Sequence, residues 1–233
     1  MAQANRNTPL RRAKYGLMQH LPGELGLKYR RKLRKLYAPA AEAAFRKALA
    51  NSKGKVCIDL GANLGQHTQT MAAHAAKVYA FEPDPWTAAE LRTRLATVPN
   101  VEIVEAAAGI EDGTFPLYRT SSFDADPVEQ SQSSSLISEK RNIDTESAVD
   151  VRVIDFPAFL EGLNADIAVI KMDIEGAEVP LLEALFDHPV KSRIGHLFVE
   201  THESRIPDLL ARTDALRDRA AQMTQPHVNM DWK

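Results

Sequence analysis

Residues 56–65, which read VCIDLGANLG, decide the fold of this 233-residue chain. Five residues of nearly unbroken apolar character lead into a loop with two glycines, and a segment of helical character follows. Such a run is typical of a strand buried on both faces, and glycines at its end permit a tight turn and the close approach of a ligand to the backbone. Asn63 can adopt the left-handed conformation that such a turn uses. The stretch therefore predicts a strand, a turn and a helix, with a ligand held at the turn.

The spacing of the glycines indicates which ligand the loop suits. A nicotinamide-binding loop follows the pattern G-x-G-x-x-G. Counted from Gly61, however, the second and third glycine positions hold Asn63 and Gln66. A nicotinamide oxidoreductase is therefore disfavoured, and a ligand without a pyrophosphate, such as an adenosyl amino acid, fits better. A tight turn that binds no ligand is the alternative that this motif alone leaves open.

From residue 55 onward, short apolar runs alternate with helical segments. This alternation predicts an α/β fold, in which parallel βαβ units form one right-handed sheet with helices on both faces. The predicted strands are residues 56–60, 78–81, 101–104, 167–170 and 194–199, with a further short strand at 227–232. The predicted helices are residues 64–76, 85–96, 156–163, 177–187 and 206–220.

An insertion, residues 109–155, separates the third and fourth of these strands. Residues 115–118 and 149–154 predict an added hairpin or edge strands. The stretch between them, 121–147, is rich in Ser, Asp, Glu and Gln and has no apolar periodicity. A loop this long is usually either a functional lid or disordered. The sequence leaves both open: a lid over the acceptor site, formed by residues 133–136 and the loop around them, or a disordered solvent loop.

The first fifty residues form a basic extension. They hold twelve Lys and Arg against two acids, a balance of +10, whereas the remainder holds 17 against 29, a balance of −12. Residues 1–26 are expected to be loose. Tyr29, Leu33, Leu36 and Tyr37 then predict an amphipathic helix, and Pro39 fits the first turn of a second helix. Such a head either attracts an anionic partner, a peripheral anionic surface included, or docks on the acidic body.

The composition indicates a reducing compartment. No apolar run approaches the roughly 20 residues of a membrane span, and no signal peptide is recognisable. The single cysteine, Cys57, lies in an apolar strand and predicts a buried filler. We expect a cytoplasmic protein.

Glu82 closes the second predicted strand, 21 positions after Gly61. A carboxylate at this spacing can accept hydrogen bonds from both hydroxyls of a ribose. An acid that merely favours the dipole of the next helix is the alternative, but that role suits Asp84 better, because Asp84 occupies the N-cap position and Glu82 precedes it.

Residues 170–178, IKMDIEGAE, place charges at the end of a buried strand. Ligands of open α/β sheets bind beyond the carboxyl ends of the strands, and charges there are costly unless paired or used. Side chains of a strand alternate between its two faces, so if the strand continued, Lys171, Asp173 and Glu175 would lie on the same face of the sheet. The alternative to a functional role is an ion pair between Lys171 and a carboxylate.

Taken together, these motifs resemble those of the FkbM family of S-adenosylmethionine-dependent methyltransferases. Residues 133–136, 153–155 and 198–202 add supporting matches in the same order, so that the resemblance covers about residues 55–203. It implies a Rossmann-like class I methyltransferase fold for residues 51–233, with residues 1–50 as a helical extension. The antiparallel pair that normally ends the seven-stranded sheet would be abbreviated after residue 203.

The resemblance also implies site residues and a reaction. Asp59, Gly61, Asn63 and Gly65 would surround the methionine part of S-adenosylmethionine. The ribose would lie at Glu82 and the adenine near Ala108. Asp173 would lie close to the transferred methyl group. The implied reaction is O-methylation of a small-molecule or glycan acceptor.

An acceptor hydroxyl must give up a proton to a base within hydrogen-bond reach. Asp173, Glu175 and His202 are the candidates for this base, in that order, and Lys171 is a further candidate catalytic residue. We expect no metal, although Asp173, Glu175 and Glu200 together could hold Mg²⁺. Two other functions stay open: a non-catalytic adenosyl-ligand-binding protein, and an RNA methyltransferase that uses the basic head. The absence of an RRM or KH motif disfavours nucleic acid as a partner.

Overall fold

The computed structural model describes residues 7–131, 134–138, 140, 143–144 and 146–232. Its helices are α1 (Pro9–Met18), α2 (Gly23–Ala50), α3 (Gln66–Ala72), α4 (Pro85–Arg94), α5 (Pro127–Gln130), α6 (Phe156–Gly162), α7 (Glu178–Asp187) and α8 (Leu210–Gln222). The strands are β1 (Val56–Leu60), β2 (Lys77–Phe81), β3 (Val101–Val104), β4 (Ala107–Gly109), β5 (Gly113–Tyr118), β6 (Ala148–Asp155), β7 (Ile167–Met172), β8 (Ile194–Val199) and β9 (His227–Asn229). Short 3₁₀ turns cover Pro189–Arg193 and Pro207–Leu209.

Six strands form the main sheet in the order β3-β2-β1-β7-β8-β9, and every neighbouring pair is parallel. Because β4, β5 and β6 belong to a separate sheet, this is the 3-2-1-4-5-6 order of doubly wound folds, with its switch point between β1 and β7. The five main strands are confirmed, and β1 and β8 have the predicted limits. The last strand, β9, is shorter than predicted and pairs parallel to β8.

Alternate residues of the main strands face two different cores. Ile58 and Leu60 of β1 contribute to a cluster with α6, α7 and α8, whereas Cys57 packs with α2 and α3. Cys57 is fully buried, and burial raises the pKa of its thiol, as expected for an inert filler. The α/β fold with helices on both faces is therefore confirmed.

The insertion folds around a small three-stranded sheet of order β4-β6-β5. β5 and β6 are antiparallel, which confirms the predicted hairpin. β4 was not predicted, because its three residues are too small and too few to give a pattern; it pairs parallel to β6.

The N-terminal extension differs from the prediction in two respects. α1 lies within the stretch expected to be loose: Thr8 caps it by accepting a hydrogen bond from Arg11 N at 3.3 Å, with a proline in its first turn. In addition, α2 runs through Pro39 without a break. Pro39 removes one helical hydrogen bond, but burial of Leu36 before it and Phe45 after it holds the helix together.

The C-terminal half of α2 is part of the core of the main sheet. The Phe45 ring lies 5.2 Å from that of Phe198 and 5.5 Å from that of Trp232. The division at residue 50 between extension and domain stays a prediction. Within the described residues, no helix combines the length and the apolar character needed to cross a membrane.

Candidate active site

A cavity of about 990 Å³ lies at the carboxyl ends of the main strands. Loops after β1, β2, β7 and β8 line it, together with β4 and residues of the insertion around α5. This volume is at the upper end of the range of about 300–1,000 Å³ that small-molecule sites occupy. The position is the one that open α/β sheets use for their ligands.

The glycine loop after β1 is shaped by close backbone contacts. Gly61 has φ +74, and a Cβ added there would lie 1.9 Å from the carbonyl oxygen of Asp173. Gly65 has φ +87, and its Cβ would meet Leu91 Cδ1 at 2.7 Å. Asn63 has φ +50, so its predicted left-handed conformation is confirmed. The loop after β1 and the loop after β7 therefore touch through backbone atoms, which fixes one against the other.

Glu82 stands at the end of β2 and lines the cavity, with only 7% of its surface exposed. Its Oε2 accepts a hydrogen bond from Asn63 N at 2.8 Å, and its Oε1 accepts one from Asp84 N at 3.0 Å. Burial raises the pKa of this carboxyl to about 7, although the two backbone donors act in the opposite direction. Each oxygen keeps a lone pair that could accept a further donor from a ligand.

Asp59 and Lys171 form a buried pair beneath the glycine loop. Lys171 Nζ lies 3.1 Å from Asp59 Oδ1 and donates a hydrogen bond to the carbonyl oxygen of Gly61 at 2.7 Å. Thr68 Oγ1 donates to the other Asp59 oxygen at 2.7 Å. Burial lowers the pKa of Lys171, but Asp59 and Asp173 outweigh it, and the net pKa is raised. Asp59 is fully buried and does not line the cavity among the described residues, which supports a positioning role for it. Lys171 does line the cavity, and its catalytic role stays a prediction.

The far end of the cavity, beside β4, is apolar. Ala107, Ala108 and Leu117 line it, and Ala108 is almost fully buried. A flat heterocycle could pack there against small side chains, with polar contacts supplied by the backbone.

Asp173 follows β7 and lines the cavity with a side chain that is 29% exposed. Its Oδ1 is buried and has no hydrogen-bond partner among the described residues. Lys171 Nζ lies 4.0 Å from Oδ2, and His202 Nε2 lies 3.7 Å from Oδ1. Of the three predicted bases, Asp173 alone has a buried side-chain atom without a hydrogen-bond partner among the described residues.

Glu175 is held by cations from two other segments. Its Oε2 lies 2.7 Å from Lys140 Nζ, 3.0 Å from Arg205 Nη1 and 3.3 Å from His202 Nε2. Ser135 Oγ also donates a hydrogen bond to its main-chain carbonyl at 2.7 Å. The side chain of Lys140 is completely buried, and this burial lowers its pKa. Glu175 therefore joins the insertion to the loop after β7, which supports an anchoring role rather than that of a base.

His202 bonds to a third acid, Glu178, at 2.7 Å through Nδ1. Burial opposes a charge on the imidazole, but Glu178 and, more weakly, Glu175 and Asp173 outweigh it and raise the pKa of His202 to about 9. The ring therefore carries both protons at neutral pH. In this state it can donate hydrogen bonds but cannot accept a proton, so the geometry does not favour it as the base.

Glu178 was missed as a site residue, although it lies in the 170–178 motif. It is 1% exposed and accepts hydrogen bonds from Ile174 N at 3.1 Å and Gly176 N at 2.9 Å. A glutamate in the first turn of a helix that follows a glycine loop was the available signal. Its contacts with distant His202 were not visible in the sequence.

Asp173, Glu178 and His202 form, within the described part of the chain, a group that could hold a metal ion, with ligand atoms within 4.8 Å of one another. This differs from the set of Asp173, Glu175 and Glu200 considered above. Both oxygens of Glu178 already accept hydrogen bonds. With the His202 ring protonated, the group is an imidazolium surrounded by carboxylates, and the expectation of no metal stays a prediction.

The insertion supplies one wall of the cavity. Asn63 Nδ2 donates a hydrogen bond to Ser131 Oγ at 3.1 Å, and Arg119 Nε lies 2.7 Å from Asp84 Oδ2. Ser133 lies outside the described residues. These contacts, like those of Lys140 and Arg205, join segments far apart in the sequence, and no spacing pattern could have shown them.

The chain has a doubly wound parallel sheet with a cavity at its carboxyl edge, a glycine loop after the first strand and a buried acid at the end of the second. These features define a Rossmann-like fold. The chain belongs to the FkbM methyltransferase family: the methyltransferase FkbM domain matches residues 59–221, well over half of the sequence.

Two solved structures share limited stretches with this chain. An rRNA methylase from Streptococcus thermophilus is 23% identical, with a TM-score of 0.25, over 27% of this chain and 37% of its own. The 23S rRNA methyltransferase ErmE is 27% identical, with a TM-score of 0.24, over 28% of each chain. A comparison with curated proteins gives no match.

Proposed function

We propose that this protein is an S-adenosylmethionine-dependent O-methyltransferase that acts on a hydroxyl of a small-molecule or glycan acceptor. The observation that carries the proposal is the position of Asp173. Its buried Oδ1 has no hydrogen-bond partner among the described residues, in a cavity that Glu82 also lines. A cavity with a ribose-type carboxylate and a second carboxylate available for a proton has the two protein groups that this reaction needs.

The residues present fit the proposed donor. Glu82 offers two carboxylate oxygens to the ribose hydroxyls, and the apolar end at Ala107, Ala108 and Leu117 suits an adenine. The loop from Gly61 to Gly65 leaves its backbone close to the cavity for the amino-acid part. All of these residues line the same cavity, whose volume of about 990 Å³ is at the upper end for small-molecule sites and so favours a second molecule beside the donor.

The donor supplies an activated methyl group, so the protein has to align the acceptor, exclude water and remove one proton. We assign the removal of this proton to Asp173, whose Oδ1 accepts the proton of the acceptor hydroxyl. Lys171 holds the glycine loop through the carbonyl oxygen of Gly61, and Glu175 holds the insertion. His202 stays protonated and keeps the charges of the surrounding acids balanced.

The lining of the remaining space favours a hydroxyl-bearing acceptor. Gln66, Gln69, Gln130 and Ser131 line the cavity and can both donate and accept hydrogen bonds. Such groups match the alternating donors and acceptors of a sugar or of a polyhydroxylated small molecule.

Calorimetry with S-adenosylhomocysteine, run beside NAD under identical conditions, tests the donor site. We expect micromolar binding of S-adenosylhomocysteine, about 8 kcal/mol, and none of NAD. Equal binding of both, or no binding by folded protein, would contradict the donor assignment. The acceptor assignment is tested by screening hydroxylated acceptors and a structured RNA for S-adenosylhomocysteine release. Release of S-adenosylhomocysteine with RNA alone would favour an RNA methyltransferase. Binding of S-adenosylhomocysteine with no release for any acceptor would favour a non-catalytic adenosyl-ligand-binding protein.

A further inference from the structure

Large exposed apolar side chains are concentrated near the N-terminus. Among the described residues there are seven, and four of them are leucines between positions 10 and 25: Leu10 at 80%, Leu17 at 77%, Leu25 at 47% and Leu21 at 39% exposed. Leu10 and Leu17 are seven positions apart and therefore share one face of α1. Leu21 and Leu25 lie in the connection to α2 and in its first turn. An apolar concentration of this kind on a folded surface usually marks an interaction site.

Basic residues accompany these leucines. Lys14 is exposed and lies four positions after Leu10 and three before Leu17, which places it on the same face of α1. On α2, Lys28, Arg31 and Lys35 are exposed and share a face, since they are three and four positions apart. Residues 7–41 contain a single acid, Glu24. Leucines and basic side chains therefore lie together on the α1–α2 hairpin.

The hairpin is fixed to the body by other basic residues. Arg30 Nη2 donates a hydrogen bond to Asp214 Oδ2 at 3.0 Å, and Arg34 pairs with Glu200 at 3.7 Å. Within the hairpin, the rings of Tyr15 and Tyr29 lie 5.5 Å apart. The body thus uses Arg30 and Arg34 on one side of α2, and leaves the face of Lys28, Arg31 and Lys35 to solvent.

We propose that the α1–α2 hairpin docks this protein on the surface of an anionic lipid bilayer. Exposed leucines enter the boundary between headgroups and acyl chains, and the surrounding Lys and Arg side chains bind the anionic headgroups. The rest of the chain, with its balance of −12, is repelled by such a surface, so that docking occurs through the basic extension. Contact with nucleic acid would use the basic residues but would leave the four leucines without a role.

The side of α2 opposite the docking surface reaches the candidate active site. Arg34 pairs with Glu200, and Glu200 lines the cavity. The hairpin is therefore fixed to the body through a residue that lines the cavity. The inference does not depend on methyl transfer, because none of the residues of the docking surface touches the cavity.

The test is co-sedimentation of the full chain with vesicles of phosphatidylcholine and phosphatidylglycerol in equal parts, beside vesicles of phosphatidylcholine alone. We expect binding to the anionic vesicles only. The variant K28Q/R31Q/K35Q should partition on the order of 100-fold more weakly, since each basic side chain near such a surface is worth roughly fivefold. The variant L10S/L17S should lose roughly tenfold.

The control variant K53Q/K55Q/R152Q removes the same charge from exposed positions on the body and should bind like the wild type. Unchanged affinity for S-adenosylhomocysteine, or an unchanged melting temperature, shows that the variants are folded. Absence of vesicle binding, or equal binding by all variants, overturns the proposal. If no vesicles are bound, two further measurements assign the surface. RNA binding that the L10S/L17S variant retains assigns it to nucleic acid. A dimer in light scattering that the L10S/L17S variant no longer forms assigns it to self-association.

Discussion

The two walls of the cavity are built in different ways. The wall after β1 and β2 is held through its backbone groups. Gly61 lies against the carbonyl of Asp173, and its own carbonyl oxygen accepts a hydrogen bond from Lys171. The carboxylate of Glu82 accepts hydrogen bonds from the amides of Asn63 and Asp84. The opposite wall is held by charged side chains, with Glu175 between Lys140 and Arg205. A wall set by the backbone admits little change, whereas one set by side-chain pairs can change with the fold intact. In the proposed function, the first wall holds the donor and the opposite wall faces the acceptor; they are called the donor wall and the acceptor wall below.

The largest effect is expected for Asp173→Asn, a substitution that tests proton removal without changing the shape of the site. The amide keeps the shape of the side chain but cannot take up a proton. Turnover should fall on the order of 10²–10⁴-fold, while affinity for S-adenosylhomocysteine and stability stay unchanged. The measurement is the rate of S-adenosylhomocysteine release with an acceptor found by screening. Asp208→Asn, at an exposed position beside α8, is the control and should be fully active. An active Asp173→Asn enzyme would remove Asp173 from proton transfer.

Gly61→Ala tests the claim that backbone contact fixes the donor wall. The methyl group would meet the Asp173 carbonyl at 1.9 Å in a left-handed conformation, so we expect a loss of about 2–5 kcal/mol in the free energy of unfolding, together with loss of S-adenosylhomocysteine binding. Chemical denaturation measures the first and calorimetry the second. Gly162→Ala has nothing within 4 Å of its Cβ and should be neutral or slightly stabilising. Equal tolerance at both positions would show that the two loops are not fixed by this contact.

The protonation of Glu82 is expected to make the affinity of the donor wall for its ligand depend on pH. Ribose hydroxyls donate to the carboxylate form, and the pKa in the free protein is about 7. Affinity for S-adenosylhomocysteine should therefore rise about tenfold between about pH 6 and about pH 8, because less of the binding free energy is spent on removing the proton. Glu82→Gln should bind more weakly and lose this dependence. A flat wild-type profile in calorimetry would remove Glu82 from the ribose site.

The same raised pKa affects the ligand-free protein with the opposite sign. The folded state holds the proton more tightly than the unfolded state, whose pKa is near 4.5. The contribution of Glu82 to stability therefore falls as the pH rises from about 4.5 to about 7. Ligand binding and folding thus respond to Glu82 in opposite directions over this range.

Lys140→Met is expected to have the smallest effect and tests the acceptor wall. Glu175 loses its buried partner but keeps Arg205 and His202, so the cost should be about 1 kcal/mol, below the roughly 3–5 kcal/mol of a buried pair broken outright. Limited proteolysis of the insertion should accelerate, with S-adenosylhomocysteine affinity unchanged. Lys77→Met, which breaks the exposed pair with Glu102, is the control and should change neither the stability nor the rate of proteolysis. Loss of donor affinity in Lys140→Met would mean that the two walls are not independent.

Much of the fold could be predicted because it depends on local patterns. β1 and β8 have the predicted limits, and the hairpin of β5 and β6 was expected. The extension could not be predicted as well, since the capping by Thr8 is weak as a signal and Pro39 normally ends a helix. There the packing of Phe45 against Phe198 outweighs the local preference.

The sequence by itself predicted the residues of the proposed donor wall. A glycine or asparagine in a left-handed turn and an acid at the end of the next strand act through the backbone beside them, so their spacing is enough to predict them. Only the tertiary structure distinguishes the roles proposed for residues of the acceptor wall. The sequence ranks Asp173, Glu175 and His202 as candidate bases but shows none of their contacts. In the structure, Lys140 and Arg205 approach Glu175, and Glu178 approaches His202. Asp173 Oδ1 is left without a hydrogen-bond partner among the described residues. The charge state of a group depends on neighbours that the fold brings together, and no spacing along the chain records them.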